Sequence, residues 1–252
     1  MSSAADELGA FSSHYGFEDW REVRTAEESV FVWQFFLGGQ ELTGRQALRI
    51  DETAVAGWPA ATDSLWVGED DDAPPVRVDV YETVSRAEAR EHLLRQLAEF
   101  QSPLLERRPD GPGDVAFGMP GGYSIVFARA NMVVVVRSAG DEPEPVDAVA
   151  RELDRLFATP PDPNRSPVRP ELRRVEVAER RPVPGVPAEL VLDAEDPLGR
   201  RVWFRLSTKD GEFSSRADRV YYTPETEGKQ TLEVAAVNEN LGVDSQTLEF
   251  DV

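Results

Sequence analysis

Two runs of strand-forming residues, Ile125-Val126-Phe127 and Met132 to Val136, stand on either side of Arg129-Ala130-Asn131. No other stretch of the chain restricts its fold as much. β-Branched and aromatic side chains favour extended backbone, and asparagine tolerates the positive φ of a tight turn. The spacing predicts a buried hairpin at the centre of a sheet. The Gly-rich approach from Gly111 to Gly122 has the look of a phosphate cradle, but no lysine follows it and no helix begins there, so a hairpin loop is expected.

The flanking segments extend that sheet. Val76, Val78 and Val80 alternate with Arg77, Asp79 and Tyr81, the pattern of a half-buried strand. Ser85 followed by Glu88 forms a capping box, and the helix it starts carries Leu93, Leu94, Leu97 and Phe100 as far as Pro103. Beyond the hairpin, Val146, Val149, Leu153, Leu156 and Phe157 fall on one face of a second helix, ended by Pro160-Pro161. Strand, turn and helix therefore occur twice, which fits an internal duplication or the ordinary frequency of that unit. Upstream, residues 1–28 read as an irregular or helical lead-in, and VFVWQFF before Gly38-Gly39 as a strand. Gln40 to Trp66 mixes helical and turn signals around a loop at Pro59, and Glu69 to Asp72 reads as a solvated loop.

Thr159 to Pro170 is a Pro-rich connector, and after it the apolar period becomes two. Leu190, Leu192 and Ala194 alternate, then Val202, Phe204 and Leu206, Val220 and Tyr222, Leu232, Val234 and Ala236, and Leu248, Phe250 and Val252. Short alternating strands separated by turns at Asp196 to Gly199, Asp210-Gly211, Glu227-Gly228 and Asn240 to Gly242 predict an antiparallel sandwich.

Gly185, the strand Glu189 to Ala194, DPLG at Asp196 to Gly199 before VWFRL, KDGEFS around Gly211, and the stretch Tyr221 to Gly242 together resemble the immunoglobulin-like PKD and cadherin-like modules of bacterial surface proteins. VDVYE at Val78 to Glu82, GDVAFG at Gly113 to Gly118, FARANMVVVV and VDAVARELDRLF resemble an uncharacterised α+β domain of bacterial exported or lipoprotein-like chains. The resulting expectation is an α+β N-terminal domain over residues 1–160, a mainly antiparallel sheet with two amphipathic helices on one face. A linker over 161–170 and an all-β immunoglobulin-like sandwich over 171–252 complete it. The resemblance implies an extracytoplasmic setting, in the periplasm or at the cell surface, and transfers no functional residue.

Composition narrows the chemistry. A net charge of −20, from 47 acidic and 27 basic residues, repels phosphate backbones, so nucleic acid is not an expected partner. Without cysteine there is no disulfide, thiolate metal site or thiol nucleophile. No apolar run reaches the roughly 18 residues that span a bilayer, so no membrane insertion is expected. MSSAADELGAFSSHYGF lacks the basic leader and apolar segment of a signal peptide, leaving either a cytoplasmic chain or one processed after export. The two histidines, His14 and His92, have no partner at metal-ligand spacing, and no G-x-S-x-G elbow is present. His92 reads as a partly exposed helix residue. Neither a catalytic set nor a cofactor site is expected.

Two binding features are carried forward. Glu195, Asp196, Asn240 and Asp244 lie where a sandwich would bring loops to one end, with hard oxygen ligands suited to Ca²⁺, or else serve as turn formers. Trp203, Arg205 and Tyr221 fall on the strand face opposite the predicted core, as an interface patch or, one register away, as core. The expected function is a non-catalytic extracytoplasmic binding, structural or adhesion-type protein whose partner is a protein or cell-surface component, the sandwich acting as spacer or docking module. A cytoplasmic assembly subunit, and an enzyme or accessory with an acidic cleft in the first domain, are the alternatives.

Overall fold

A computed structural model describes residues 29–33, 35, 37–53, 61–68, 73–100 and 104–252, without the side chain of Phe100. The expectations for residues 1–28, His14 among them, for the loop around Pro59, for Glu69 to Asp72 and for Pro103 lie outside these residues. Among the described residues, one compact unit spans Gln40–Leu156 and a second takes residues 29–39 together with Phe157–Val252. The strand β1, Ser29–Trp33, thus belongs to the second unit although it precedes Gln40–Leu156 in the chain.

The first unit is built on a seven-stranded sheet. Its strands in chain order are β2 (Arg45–Thr53), β3 (Ala61–Gly68), β4 (Val76–Glu82), β5 (Glu106–Arg107), β6 (Val115–Gly118), β7 (Ser124–Arg129) and β8 (Met132–Ser138). They lie in the order β2-β3-β4-β8-β7-β6-β5 with every neighbour antiparallel. The predicted hairpin is β7–β8, with Ile125 opposite Val136 and Phe127 opposite Val134. At its turn Ala130, not Asn131, takes the positive φ, 50°. The Asp114 carboxylate accepts the Ala130 N–H at 2.8 Å and holds that strained residue, while Asn131 is buried with its amide donating to the Thr83 carbonyl at 3.2 Å.

Helix α1, Arg86–Phe100, starts where the capping signal predicts, the Ser85 hydroxyl accepting the Glu88 N–H at 3.1 Å. Its buried side Ala89, Leu93, Leu94 and Leu97 packs on Val115, Phe117, Val126, Ala128, Val133 and Val135. Each fully buried leucine contributes about 1.5–3 kcal/mol to that contact. Helix α2, Asp147–Ala158, does not share this face. Its Asp154 pairs with Arg129 at 2.6 and 2.7 Å, and Arg129 points away from the side on which Val126 and Ala128 meet α1.

The second unit contains β1 with β9 (Glu171–Val177), β10 (Ala188–Glu195), β11 (Val202–Thr208), β12 (Glu212–Arg216), β13 (Arg219–Thr223), β14 (Lys229–Asn238) and β15 (Val243–Asp251). They form two four-stranded antiparallel sheets, β1-β11-β14-β15 and β12-β13-β10-β9. Phe31, Leu206, Leu232 and Val234 from the first meet Leu190, Phe213, Val220 and Tyr222 from the second, giving a sandwich-like core. The Phe31 and Phe213 rings stand 6.3 Å apart, so the far-upstream strand enters the core rather than only lining its edge.

This architecture corrects the expected fold class. The described residues are 49% strand and 13% helix, with two helices and three sheets, and they do not make a clear α+β domain followed by an immunoglobulin sandwich. Two physical causes stand out. Gln40 to Trp66 conceals the β2–β3 hairpin because a bulge between Ala47 and Arg49 interrupts the alternation of β2. Registration of β1 on β11, with Phe31 opposite Leu206, is a pairing no local signal encodes. No described helix is long and apolar enough to cross a membrane.

Candidate functional site

Side chains alternate across the first unit's sheet, and antiparallel register turns that alternation into rows. Asp51 lies opposite Asp63, and Asp63 opposite Asp79, a row of three carboxylates across β2, β3 and β4. Two residues along, Arg49, Leu65, Arg77 and Arg137 make a second row on the same face, reaching β8. Like charges side by side in one row repel, and the structure relieves this by pairing between rows. Arg49 Nε meets Asp51 Oδ2 at 2.7 Å, Arg77 pairs with Asp63 and, at 2.9 Å, with Asp79, and Arg137 Nη1 lies 3.4 Å from Asp79 Oδ2.

The face runs from dry to wet. Side-chain exposure rises from 7% at Asp79 to 36% at Asp63 and 57% at Asp51, because α1 covers the β8–β7–β6 half and leaves the β2–β3 half open. Burial raises the Asp79 pKa above the ordinary carboxylate value, with the Arg77 hydrogen bond and charge opposing it. Tyr81, next along β4 on this face, is also pushed up by burial.

Under the edge of α1, His92 lies with its ring centre 4.3 Å from that of Tyr81. It is buried, not partly exposed as expected; its Nδ1 has no hydrogen-bond partner and its Nε2 stands 3.5 Å from Gln96 Nε2. Burial, aided by the nearby Arg95 charge, lowers its pKa to about 4, so the imidazole is neutral at pH 7. Asp114 at the hairpin end receives Arg86 at 3.3 Å, Arg129 at 3.6 Å and the Ala130 N–H, an arrangement that fixes the turn and the start of α1.

The residues singled out from sequence are placed as follows. Asp196 is buried and its carboxylate accepts Leu198 N–H at 2.9 Å, Arg200 Nε at 2.9 Å and Nη2 at 2.8 Å, and Asn238 Nδ2 at 2.7 Å. The Arg200 hydrogen bond is the main cause of its strongly lowered pKa, reinforced by the Asn238 amide. Glu195 pairs with Arg173, Asp244 accepts the Leu172 N–H at 2.9 Å, and exposed Asn240 donates its N–H to Asn238 Oδ1 at 3.1 Å. Hydrogen-bond donors thus occupy the carboxylates proposed for Ca²⁺. Among the described residues no group of three or more His, Asp or Glu side chains is placed to hold a metal ion.

Trp203 is 5% exposed, in a small cluster with Ala235, Val237 and Val243 on the outer side of its sheet. Arg205, on the same side, donates to the carbonyls of Phe157 and Ala158 at 3.1 and 2.8 Å, the end of α2. Half-buried Tyr221 belongs to the other sheet, opposite Ser214 and Glu189, so the fold separates it from Trp203 and Arg205. The two charge rows escaped the sequence reading. Alternation in Val76 to Tyr81 carried part of the signal, but the neighbours of β4 did not.

In comparisons with known proteins, no family model, no curated protein and no solved structure matches the chain, and nothing in them identifies an immunoglobulin-like or PKD-like module.

Proposed function

We propose that the chain is a non-catalytic binding protein whose contact surface is the open half of the seven-stranded sheet. The observation that supports this is the arrangement of the Asp51–Asp63–Asp79 row beside Arg49, Arg77 and Arg137, ordered by the sheet and exposed toward β2. Each charge is held in a rigid register by backbone pairing, which lowers the entropy lost when a partner docks. Mutual pairing of the carboxylates and guanidiniums suits recognition better than proton transfer, since a general base needs a free lone pair aimed at substrate. The second unit is the natural spacer or docking module, and the extracytoplasmic setting remains part of this reading.

A photo-crosslinking amino acid at Leu65, within the arginine row, tests the proposal in the native host. An adduct is expected at position 65 and not at exposed Leu198 in the second unit. Absence of any adduct at 65, under conditions where the protein is folded and abundant, removes the open face as the contact surface.

A further inference from the structure

The outer edge of β2 has a chemistry separate from that of the open face. Among the described residues β2 is an edge strand of the seven-stranded sheet, so one side of its backbone faces no further strand. Its central residues Arg49, Ile50 and Asp51 run base, apolar, acid, with side-chain exposures of 65% at Arg49 and 57% at Asp51 and a half-buried Ile50 between them. Leu48, at the bulge, is 67% exposed. Among the described residues, the other large apolar side chains as open as this lie in loops.

We propose that two copies of the chain pair β2 against β2, antiparallel about Ile50, into one continuous sheet. This goes beyond the reading of the open face and does not rest on it. Residues opposite each other in an antiparallel pair must point their N–H and C=O groups the same way, toward each other or apart, so the two-fold axis, perpendicular to the sheet, lies midway between one residue and its own copy. Centred on Arg49 the axis sets Arg49 against Arg49, and centred on Asp51 it sets Asp51 against Asp51, like charges directly opposite. Centred on Ile50 it sets Arg49 against Asp51 of the second copy, twice over, and closes a square of alternating charge with the Arg49–Asp51 pairs already present within each copy. Ile50 then meets its own copy on the other face, and Leu48 stands opposite Glu52 of the second copy at each end of the pairing. The same axis runs the row Asp79, Asp63, Asp51 of one copy on into the row Arg49, Leu65, Arg77 of the other, and the row Val78, Ser64, Ile50 on into its own counterpart. Both copies of α1 lie on one side of this sheet, but β2, β3 and β4 of each copy stand between them, about 30 Å of sheet at the usual strand spacing. Charge complementarity thus selects both a second copy and its register. β9 carries a similar run, Arg174-Val175-Glu176, but on that strand the N–H of Leu172 is already taken by Asp244 of β15. A contact one strand wide falls below the roughly 800 Å² per partner of a standard interface, so the dimer is weak.

The chain has no cysteine, so Ile50→Cys reports this register directly. Across the axis the two Cα atoms stand about 4.5–5.5 Å apart, within the span of a disulfide. Mild oxidation of I50C is expected to link two chains at least about tenfold faster than oxidation of Leu198→Cys, an exposed position in the second unit, because paired thiols react at the effective concentration of a complex. In sedimentation equilibrium, wild type is expected to dimerise as its concentration rises to about 200 µM. Arg49→Asp and Asp51→Arg each place like charges opposite at both symmetric positions, on exposed side chains where the fold tolerates the change, and each is expected to stay monomeric with unchanged circular dichroism. The double variant R49D/D51R, and an equimolar mixture of the two single variants, are expected to dimerise again. A monomeric wild type, single variants that dimerise as wild type does, a double variant or mixture that fails to recover, or an I50C disulfide no faster than that of L198C each overturns the edge pair. A monomeric wild type together with a Leu65 adduct to another protein removes the edge pair and leaves the open face as contact surface. A dimer with no adduct at Leu65 does the reverse.

Discussion

The two halves of the seven-stranded sheet share one backbone pattern and differ in what their outward side chains meet. Under α1, Val126, Ala128, Val133 and Val135 are sealed by Leu93, Leu94 and Leu97. Toward β2 the same face carries Asp51, Asp63, Arg49 and Arg77, increasingly wet. A sheet of this kind draws more of its stability from its covered half than from its open one, because exposed ion pairs contribute about 0–1 kcal/mol while buried leucines contribute several times more.

The largest expected effect that would break this contrast is at the helix. Leu97→Ala should lower the unfolding free energy by about 2–5 kcal/mol, and Leu65→Ala on the open half by less than about 1 kcal/mol, both read by urea denaturation. Equal losses would mean that the open half is covered in solution.

A second difference appears in the pH dependence of stability. His92, buried, titrates near 4 in the fold against about 6.5 when unfolded. Its contribution is therefore complete above pH 6.5 and is lost as the pH falls toward 4, amounting to no more than about 3 kcal/mol. His92→Leu should flatten that limb and be more stable than wild type at pH 4.5. Asp79 has the opposite sign. Its folded pKa lies above the ordinary 3.8, so the contribution it makes is present below 3.8 and lost as pH rises through the folded value. Asp79→Asn should remove that component, and calorimetric melting temperatures from pH 3 to 7 would detect a failure of either sign.

Smaller effects sharpen the comparison further. Ser85→Ala takes away the hydroxyl that caps α1 and should cost about 1 kcal/mol, seen as a parallel shift of the denaturation curve. Arg49→Ala should change stability by no more than about 0.5 kcal/mol, its exposed pair with Asp51 being heavily solvated. A loss there as large as at Leu97 would overturn the division of labour between the halves.

Much of this was legible residue by residue. The β7–β8 hairpin, the alternation of β4 and the cap of α1 are local, set by side-chain branching, period and one hydroxyl. The charge rows were half legible: Arg77 and Asp79 were readable as neighbours on one face, yet their partners Asp63 and Arg137 lie on β3 and β8, joined to them only by register. Asp196 was noted as an oxygen ligand. Its pairing with Arg200 is local, but Asn238 reaches it from the end of β14, 42 residues away.

By itself the sequence determined both helices and the strands with clean alternation, though not β2 and β3, because backbone preference and apolar period act within a few residues. Tertiary structure alone decided that α1 and Asp154 of α2 address opposite faces, that β1 completes a sheet with β11 across 170 intervening residues or so, and that three aspartates stand in one row. Such pairings are chosen by the burial each arrangement achieves over the whole chain. A hydrogen-bonding strand edge accepts many partners, and only the summed packing of Phe31, Phe213 and their neighbours selects one.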